Sequence, residues 1–286
     1  MRTGIWLLLA CLAIGQAADY NAQALRQIHT REQTDRRADE FSFAVMGDNR
    51  GGDSVLATLL ARIRHDGKAA FVLNNGDLTQ DGYVREYQRY LDVLRASGLP
   101  VLSVIGNHEI PWYDGETNYR KFFGKSHFAF RYRNSCFIVL DDADEKGLAK
   151  QQIQWLTHEL QQSQSCQNRF VFLHVPLYDP RKGAYRQGHS LRDLKAAQKL
   201  NDLFDRYHVT MVFASHIHAY FRGRWHRTPY IITGGAGAPL KKGGFFHYIR
   251  VDVHDTQTHY TVIKVPAKDP GWLHRTLRSA WDALGV

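Results

Sequence analysis

The chain has 286 residues, 44% of them hydrophobic and 23% charged, with a formal net charge of +9. That length supports one sizeable core and is short for two full domains. The composition is that of an ordinary globular protein, without a repeat or a low-complexity block. The positive balance favours anionic ligands by steering, and no nucleic-acid motif or aromatic–basic stripe accompanies it.

The first 17 residues read as a signal peptide. Arg2 gives a positive start, residues 5–14 are almost wholly apolar, and Gly15-Gln16-Ala17 offers small residues before a cut after Ala17. The apolar run is too short to span a bilayer as a helix, so no transmembrane segment remains after processing. A buried first helix is the competing reading. Leu8-Leu9-Ala10-Cys11 loosely resembles a lipobox, but the run continues past Cys11. Simple export, to a periplasm or beyond the cell, is preferred to lipid anchoring. Residues 18–39 are polar and charge-rich and read as a linker or a peripheral segment.

A rhythm of strand and helix then begins, and the main domain is placed at 40–267. Residues 41–46, 70–73 and 101–105 are short apolar runs read as strands. Between them lie amphipathic helices at 53–64, with Val55, Leu56, Leu59, Leu60 and Ile63 on one face, and at 83–96. Such alternation implies βαβ units and a mainly parallel sheet. Residues 128–132 and 136–140 follow as a hairpin or part of a second sheet, then a helix at 151–162 and a strand at 170–173. A helix at 191–207, a strand at 209–213 and a strand-rich stretch from Tyr230 complete the domain. The tail, 268–286, places Leu273, Leu277, Trp281 and Leu284 on one helical stripe, with Arg275 and Arg278 elsewhere. Docking on the domain is preferred to contact with a membrane surface.

With the leader removed, Cys136 and Cys166 remain, each beside a strand-like run. An oxidising compartment permits their pairing. A disulfide and two unpaired thiols stand as equal readings.

Residues that carry chemistry recur at one topological place. Asp48, Asp77, Asn107, His108, His174, His216 and His218 all follow the C-terminal end of a predicted strand, the edge where open α/β sheets build sites. Any one of them alone reads as a structural residue; five strand ends carrying such groups in order do not. Oxygen donors mixed with imidazoles suit Mn, Fe, Zn or a similar divalent ion. A carboxylate able to bridge suits two metals about 3.5–4 Å apart, which polarise a phosphoryl oxygen and acidify a bridging water for in-line attack.

The ordered motifs GDNR at 47–50, GD at 76–77, GNHE at 106–109, His174, HIH at 216–218 and GGAG at 234–237 together resemble the calcineurin-like metallophosphoesterases. The resemblance covers roughly residues 41–265 and implies an α/β fold, a two-sheet sandwich flanked by helices. Carried over, it implies that Asp77 bridges two divalent metals, that Asp48 and His218 bind the first, and that Asn107, His174 and His216 bind the second. His108 would stand at the leaving group as a proton donor, with Glu109 helping to orient it.

One position departs from the family pattern. Where many members have Asp-x-His, this chain has Asp48-Asn49-Arg50, and a guanidinium has no lone pair for a metal. At about 5 Å from a divalent ion it would meet repulsion on the order of 6 kcal/mol. Arg50 is therefore expected to face Asp48 or a substrate phosphate. The first site then has one ligand fewer: weak, water-filled, or empty until substrate arrives. Trp112, Tyr113 and Tyr119 read as loop packing before pocket wall, while Tyr220, Arg222 and Arg224 read equally as solvated surface or as anion contacts.

The expected function is an exported, metal-dependent hydrolysis of a phosphate mono- or diester of a phosphorylated small molecule or other anionic substrate. The alternatives are a phosphate-binding protein with a degenerate first metal site, and a nuclease or phospholipase on the same scaffold.

Overall fold

The computed structural model describes residues 19–34, 40–110, 115–268 and 271–284. The leader assigned to 1–17, with Cys11, and the aromatic pair Trp112 and Tyr113 lie outside them. The first half of the chain runs α1 (Tyr20–Thr34), β1 (Glu40–Met46), α2 (Asp53–Asp66), β2 (Ala69–Asn74), α3 (Val84–Ser97), β3 (Val101–Ser103), α4 (Gly115–Phe123), β4 (Phe128–Tyr132) and β5 (Ser135–Val139). The second half adds α5 (Lys150–Gln162), β6 (Asn168–Phe172), α6 (Leu194–Arg206), β7 (Met211–Ala214), β8 (Tyr220–Trp225), β9 (Thr228–Thr233), β10 (His247–His254), β11 (Gln257–Lys264) and α7 (Trp272–Leu284).

The strands form two sheets, ordered β11-β10-β1-β2-β3 and β4-β5-β6-β7-β9-β8. Each has a parallel centre, β1-β2-β3 in one and β5-β6-β7-β9 in the other. Each also carries antiparallel strands: β10 and β11 on the first, β4 and β8 on the second. The fold is thus an α/β sandwich of two mixed sheets with helices outside.

The alternation of β1 shows why two sheets are needed. Phe41, Phe43 and Val45 point to one side and Ala44 and Met46 to the other, and all five are buried. A strand apolar on both faces must be covered on both. The inner cover is a slab of phenylalanines. Phe43 lies 5.1 Å from Phe170 and 5.3 Å from Phe137 between ring centroids, in edge-on contacts that suit aromatic quadrupoles. The outer cover is α2 and α3, with Val55, Leu56, Leu59, Leu60 and Ile63 of α2 buried on the face that their spacing predicts.

The segment 18–39 contributes α1, which closes the β3 edge. Asn21 donates to the Ser103 carbonyl at 3.0 Å and accepts from the Ser103 amide at 2.8 Å, pairing a side chain with strand backbone. The tail forms α7, held by Arg278 to Asp53 at 3.0 Å and by a two-pronged contact between Arg89 and Asp282. It docks through this polar side, and Leu277, Trp281 and Leu284 are 53%, 57% and 73% exposed.

Cys136 and Cys166 are joined as a disulfide, with Cα atoms 5.8 Å apart, at the same end of the paired strands β5 and β6. The bridge closes a loop spanning 30 positions, so its reduction should cost about 3.5 kcal/mol through the unfolded chain's regained freedom. Urea titrations with and without reductant should show that loss as a lower midpoint. Coincident midpoints would mean that the bridge adds nothing.

Candidate metal centre

Every residue singled out at a strand end meets at one edge. Asp48 follows β1, Asp77 follows β2, and Asn107 and His108 follow β3 in a short 3-10 turn. His174 follows β6, and His216 and His218 follow β7. The turns are tight. Asp48, Arg50, Asp77 and His216 have φ of 61°, 38°, 54° and 65°, a left-handed backbone that a residue with a Cβ adopts at a cost of about 1–3 kcal/mol. Close packing leaves no room for side chains at two glycines. A Cβ on Gly234 would strike Asp48 Oδ2, and one on Gly106 would strike the Asp77 amide and carboxylate.

Two donor groups converge there: Asp77, His174 and His216 in one, Asp48, Asp77 and His218 in the other, with the ligand atoms of each group within 4.8 Å of one another. Asp77 belongs to both. The side-chain oxygen of Asn107 joins the first group, 3.0 Å from His174 Nε2 and 2.8 Å from His216 Nδ1. The imidazoles are oriented by backbone carbonyls. His174 Nδ1 donates to Asn75 O at 2.8 Å, and His218 Nδ1 donates to Pro239 O at 2.9 Å, which leaves each Nε2 for the centre.

The donor chemistry fits divalent cations. Asp48 Oδ2 is fully buried without a hydrogen-bond partner, a state costly for a carboxylate unless a cation meets it. Burial pushes Asp48 upward, opposed by His174. Asp77 is held well below the usual carboxylate range: burial opposes this, but His174 and His108 prevail. Burial and neighbouring cations hold His216 down to about 2, and burial with Arg50 holds His218 down to about 4. Both rings are thus neutral at neutral pH, with lone pairs to offer.

His174 differs. Burial would lower its pKa, but Asp77, Asp48 and the Asn75 carbonyl raise it to about 10. In the metal-free chain it is an imidazolium donating from both nitrogens. That charge stabilises the metal-free fold fully below about pH 6.5 and is lost as pH rises toward 10. A metal at Nε2 must expel the proton. Metal affinity should therefore rise about tenfold per pH unit between about pH 7 and 9. Calorimetry in buffers of different ionisation enthalpy should detect about one proton released at about pH 8; binding without proton release would contradict this assignment.

Arg50 faces this centre electrostatically, lowering both Asp48 and His218. Its Nε is buried without a hydrogen-bond partner, and it makes no ion pair among the described residues. His108 Nδ1 donates to Gln80 O at 2.6 Å, and its Nε2 lies 4.0 Å from Asp77 Oδ2. Glu109 does not touch the His108 ring. Its carboxylate accepts from Thr79 N and Oγ1 at 2.9 and 2.8 Å and from Gly106 N at 2.8 Å, bracing the loop that presents Gln80.

The surroundings hold groups not singled out by the sequence. Asp142, after β5, accepts from the backbone amides of His174 and Val175 at 2.9 and 3.1 Å. It obeys the same strand-end rule and could have been found by it. His189 stacks on His216 at 3.9 Å between centroids and meets its carbonyl at 3.0 Å. It comes from the long β6–α6 loop, where no periodicity marks it. Tyr119 is buried and donates to Ser103 O at 2.6 Å, so it packs rather than lining a pocket. Arg222 and Arg224 lie on β8; Arg222 donates to Tyr260 at 2.7 Å and Arg224 to Arg227 O at 2.8 Å.

Two sheets meeting at a cluster of carboxylates, an amide oxygen and imidazoles define a metallophosphoesterase domain. A profile of the calcineurin-like phosphoesterases matches residues 41–220, and the chain belongs to that family. It is similar to serine/threonine-protein phosphatase CPPED1 of Rattus norvegicus, 28% identical over 59% of this chain and 56% of that protein. It is also similar to the Fe(3+)-Zn(2+) purple acid phosphatase 12 of Arabidopsis thaliana, 26% identical over 74% of this chain and 50% of that one. The chain thus spans about half the length of these curated relatives. Among solved structures, the purple acid phosphatase PPD1 of yellow lupin (Lupinus luteus) superposes with a TM-score of 0.60 at 15% identity, covering 80% of this chain and 53% of that one. TT1561 of Thermus thermophilus superposes at 0.52 and 11% identity, over 78% of this chain and 99% of that one. Both likenesses concern the fold.

Proposed function

We propose that this chain hydrolyses phosphate esters with a pair of divalent cations, after export to a periplasm or beyond the cell. Asp77, common to both donor groups, would serve both cations; Asp48 and His218 would complete one position, and Asn107, His174 and His216 the other. When bound, such a pair supplies a Lewis acid for the phosphoryl oxygen and an acidified water. The chain's own groups orient the ester and manage its protons. Arg50, whose Nε lacks a hydrogen-bond partner, meets a phosphate oxygen with its guanidinium. His108, its Nδ1 held by Gln80 O, turns Nε2 toward the departing oxygen and hands it a proton. The observation that carries this reading is the orphaned buried oxygen of Asp48 inside two converging donor groups. The phosphatase names of the curated relatives support monoesters among the substrates.

The test pairs metal analysis of the purified protein with hydrolysis of an aryl phosphate monoester and an aryl phosphate diester. Two metals per chain and turnover abolished by chelation are expected. Arg50→Ala should keep both metals and raise KM about tenfold, the effect of losing a phosphate contact present in ground and transition states alike. No turnover after loading with Mn, Fe or Zn, together with saturable phosphate binding, would establish the second reading, a phosphate-binding protein. Arg50 favours that reading; the placement of His108 opposes it, since a binder has no use for a proton donor.

A further inference from the structure

The polar side of α7 is turned inward and its apolar side outward. Arg278 and Asp282 fasten the helix to Asp53 and Arg89, at the first turn of α2 and within α3. Leu277, Trp281 and Leu284 share the opposite side and are more than half exposed. Asp53 follows Gly52, where an added Cβ would strike the Gly237 carbonyl of the β9–β10 loop, and the next amide of that loop, Ala238, donates to Asp48 O; the turn to which α7 is fastened thus abuts the loops beside the metal centre. Four basic side chains also stand at that edge: Lys182, Arg186, Lys241 and Lys242 are exposed on the β6–α6 and β9–β10 loops, which bring His174, His189 and Gly234 to the centre.

We propose that α7 and these basic side chains dock the protein on an anionic lipid surface, with the edge that carries the donor groups turned toward the bilayer. A stripe of two leucines and a tryptophan suits burial at the headgroup boundary, and Trp is favoured at that depth. The neighbouring lysines and arginines complement anionic headgroups, each contributing within a Debye length. A second copy of this chain fits less well, because it would press these basic side chains against their own copies. The docking is separate from the reaction proposed above and is read without it.

Flotation of the mature protein with phosphatidylcholine vesicles, with and without about one-third phosphatidylglycerol, tests this directly. Binding to the anionic vesicles that weakens with salt is expected. Leu277→Ser with Trp281→Ser should reduce partitioning at least about tenfold, with thermal unfolding and aryl ester turnover unchanged. Lys241→Glu with Lys242→Glu should reduce it on anionic vesicles without touching α7. Equal partitioning of wild type and the α7 variant would overturn the proposal, as would wild-type protein that stays unbound. A wild-type dimer in light scattering that the α7 variant abolishes would overturn it in favour of self-association.

Discussion

Asp77→Asn is expected to lose both metals and at least about a thousandfold in kcat. Among the described residues Asp77 alone belongs to both donor groups, and its backbone is held at φ 54° so that its carboxylate reaches between them. One of its oxygens also takes the His108 amide at 3.0 Å and faces His174 Nε2 at 3.2 Å. An amide keeps the shape but gives up the charge that two cations would share. Asp48→Asn is the informative contrast. It leaves Asp77, Asn107, His174 and His216 in place, so about one metal per chain should remain. Metal analysis of the two variants decides the matter: a single metal lost from each would mean that Asp77 does not bridge.

The second large effect belongs to His108. His108→Ala should cost about 10²–10⁴ in kcat on an alkyl phosphate, whose leaving oxygen needs a proton. On a nitrophenyl ester, whose leaving group departs without one, the loss should be slight. Metal content should not change, because the ring is 4.0 Å from Asp77 and bonded to Gln80 rather than to a donor group. An equal loss on both esters would assign His108 to binding the phosphoryl group instead. Glu109→Gln should reproduce a weaker version of the same leaving-group dependence, since Glu109 reaches His108 through Thr79, which precedes Gln80, and through the Gly106 amide.

The strand ends were legible because a period of alternating apolar runs and amphipathic helices has one folding solution at its C-terminal edge. Asp48, Asp77, Asn107, His174, His216 and His218 all fall there. What escaped was set by packing across the sequence. The partnership of the two sheets rests on the phenylalanine slab, and the antiparallel β10 and β11 join β1 from far along the chain. Local pattern carries neither. His189 reaches His216 from an irregular loop with no signal of its own. The stripe on α7 was visible, but its direction was not. Whether an amphipathic helix turns its apolar side in or out depends on the partners waiting for its polar side, here Asp53 and Arg89.

The donors divide by chemistry as well as by sheet. The first sheet supplies only oxygens, from Asp48, Asp77 and Asn107; the second supplies only imidazole nitrogens, from His174, His216 and His218. A chain half-way through synthesis therefore presents an oxygen set, which holds transition metals loosely. The nitrogens arrive with the other sheet, more than sixty residues later. Tight capture would wait until both sheets have met, so metals bound there would act as a seal on finished assembly rather than as a nucleus for it.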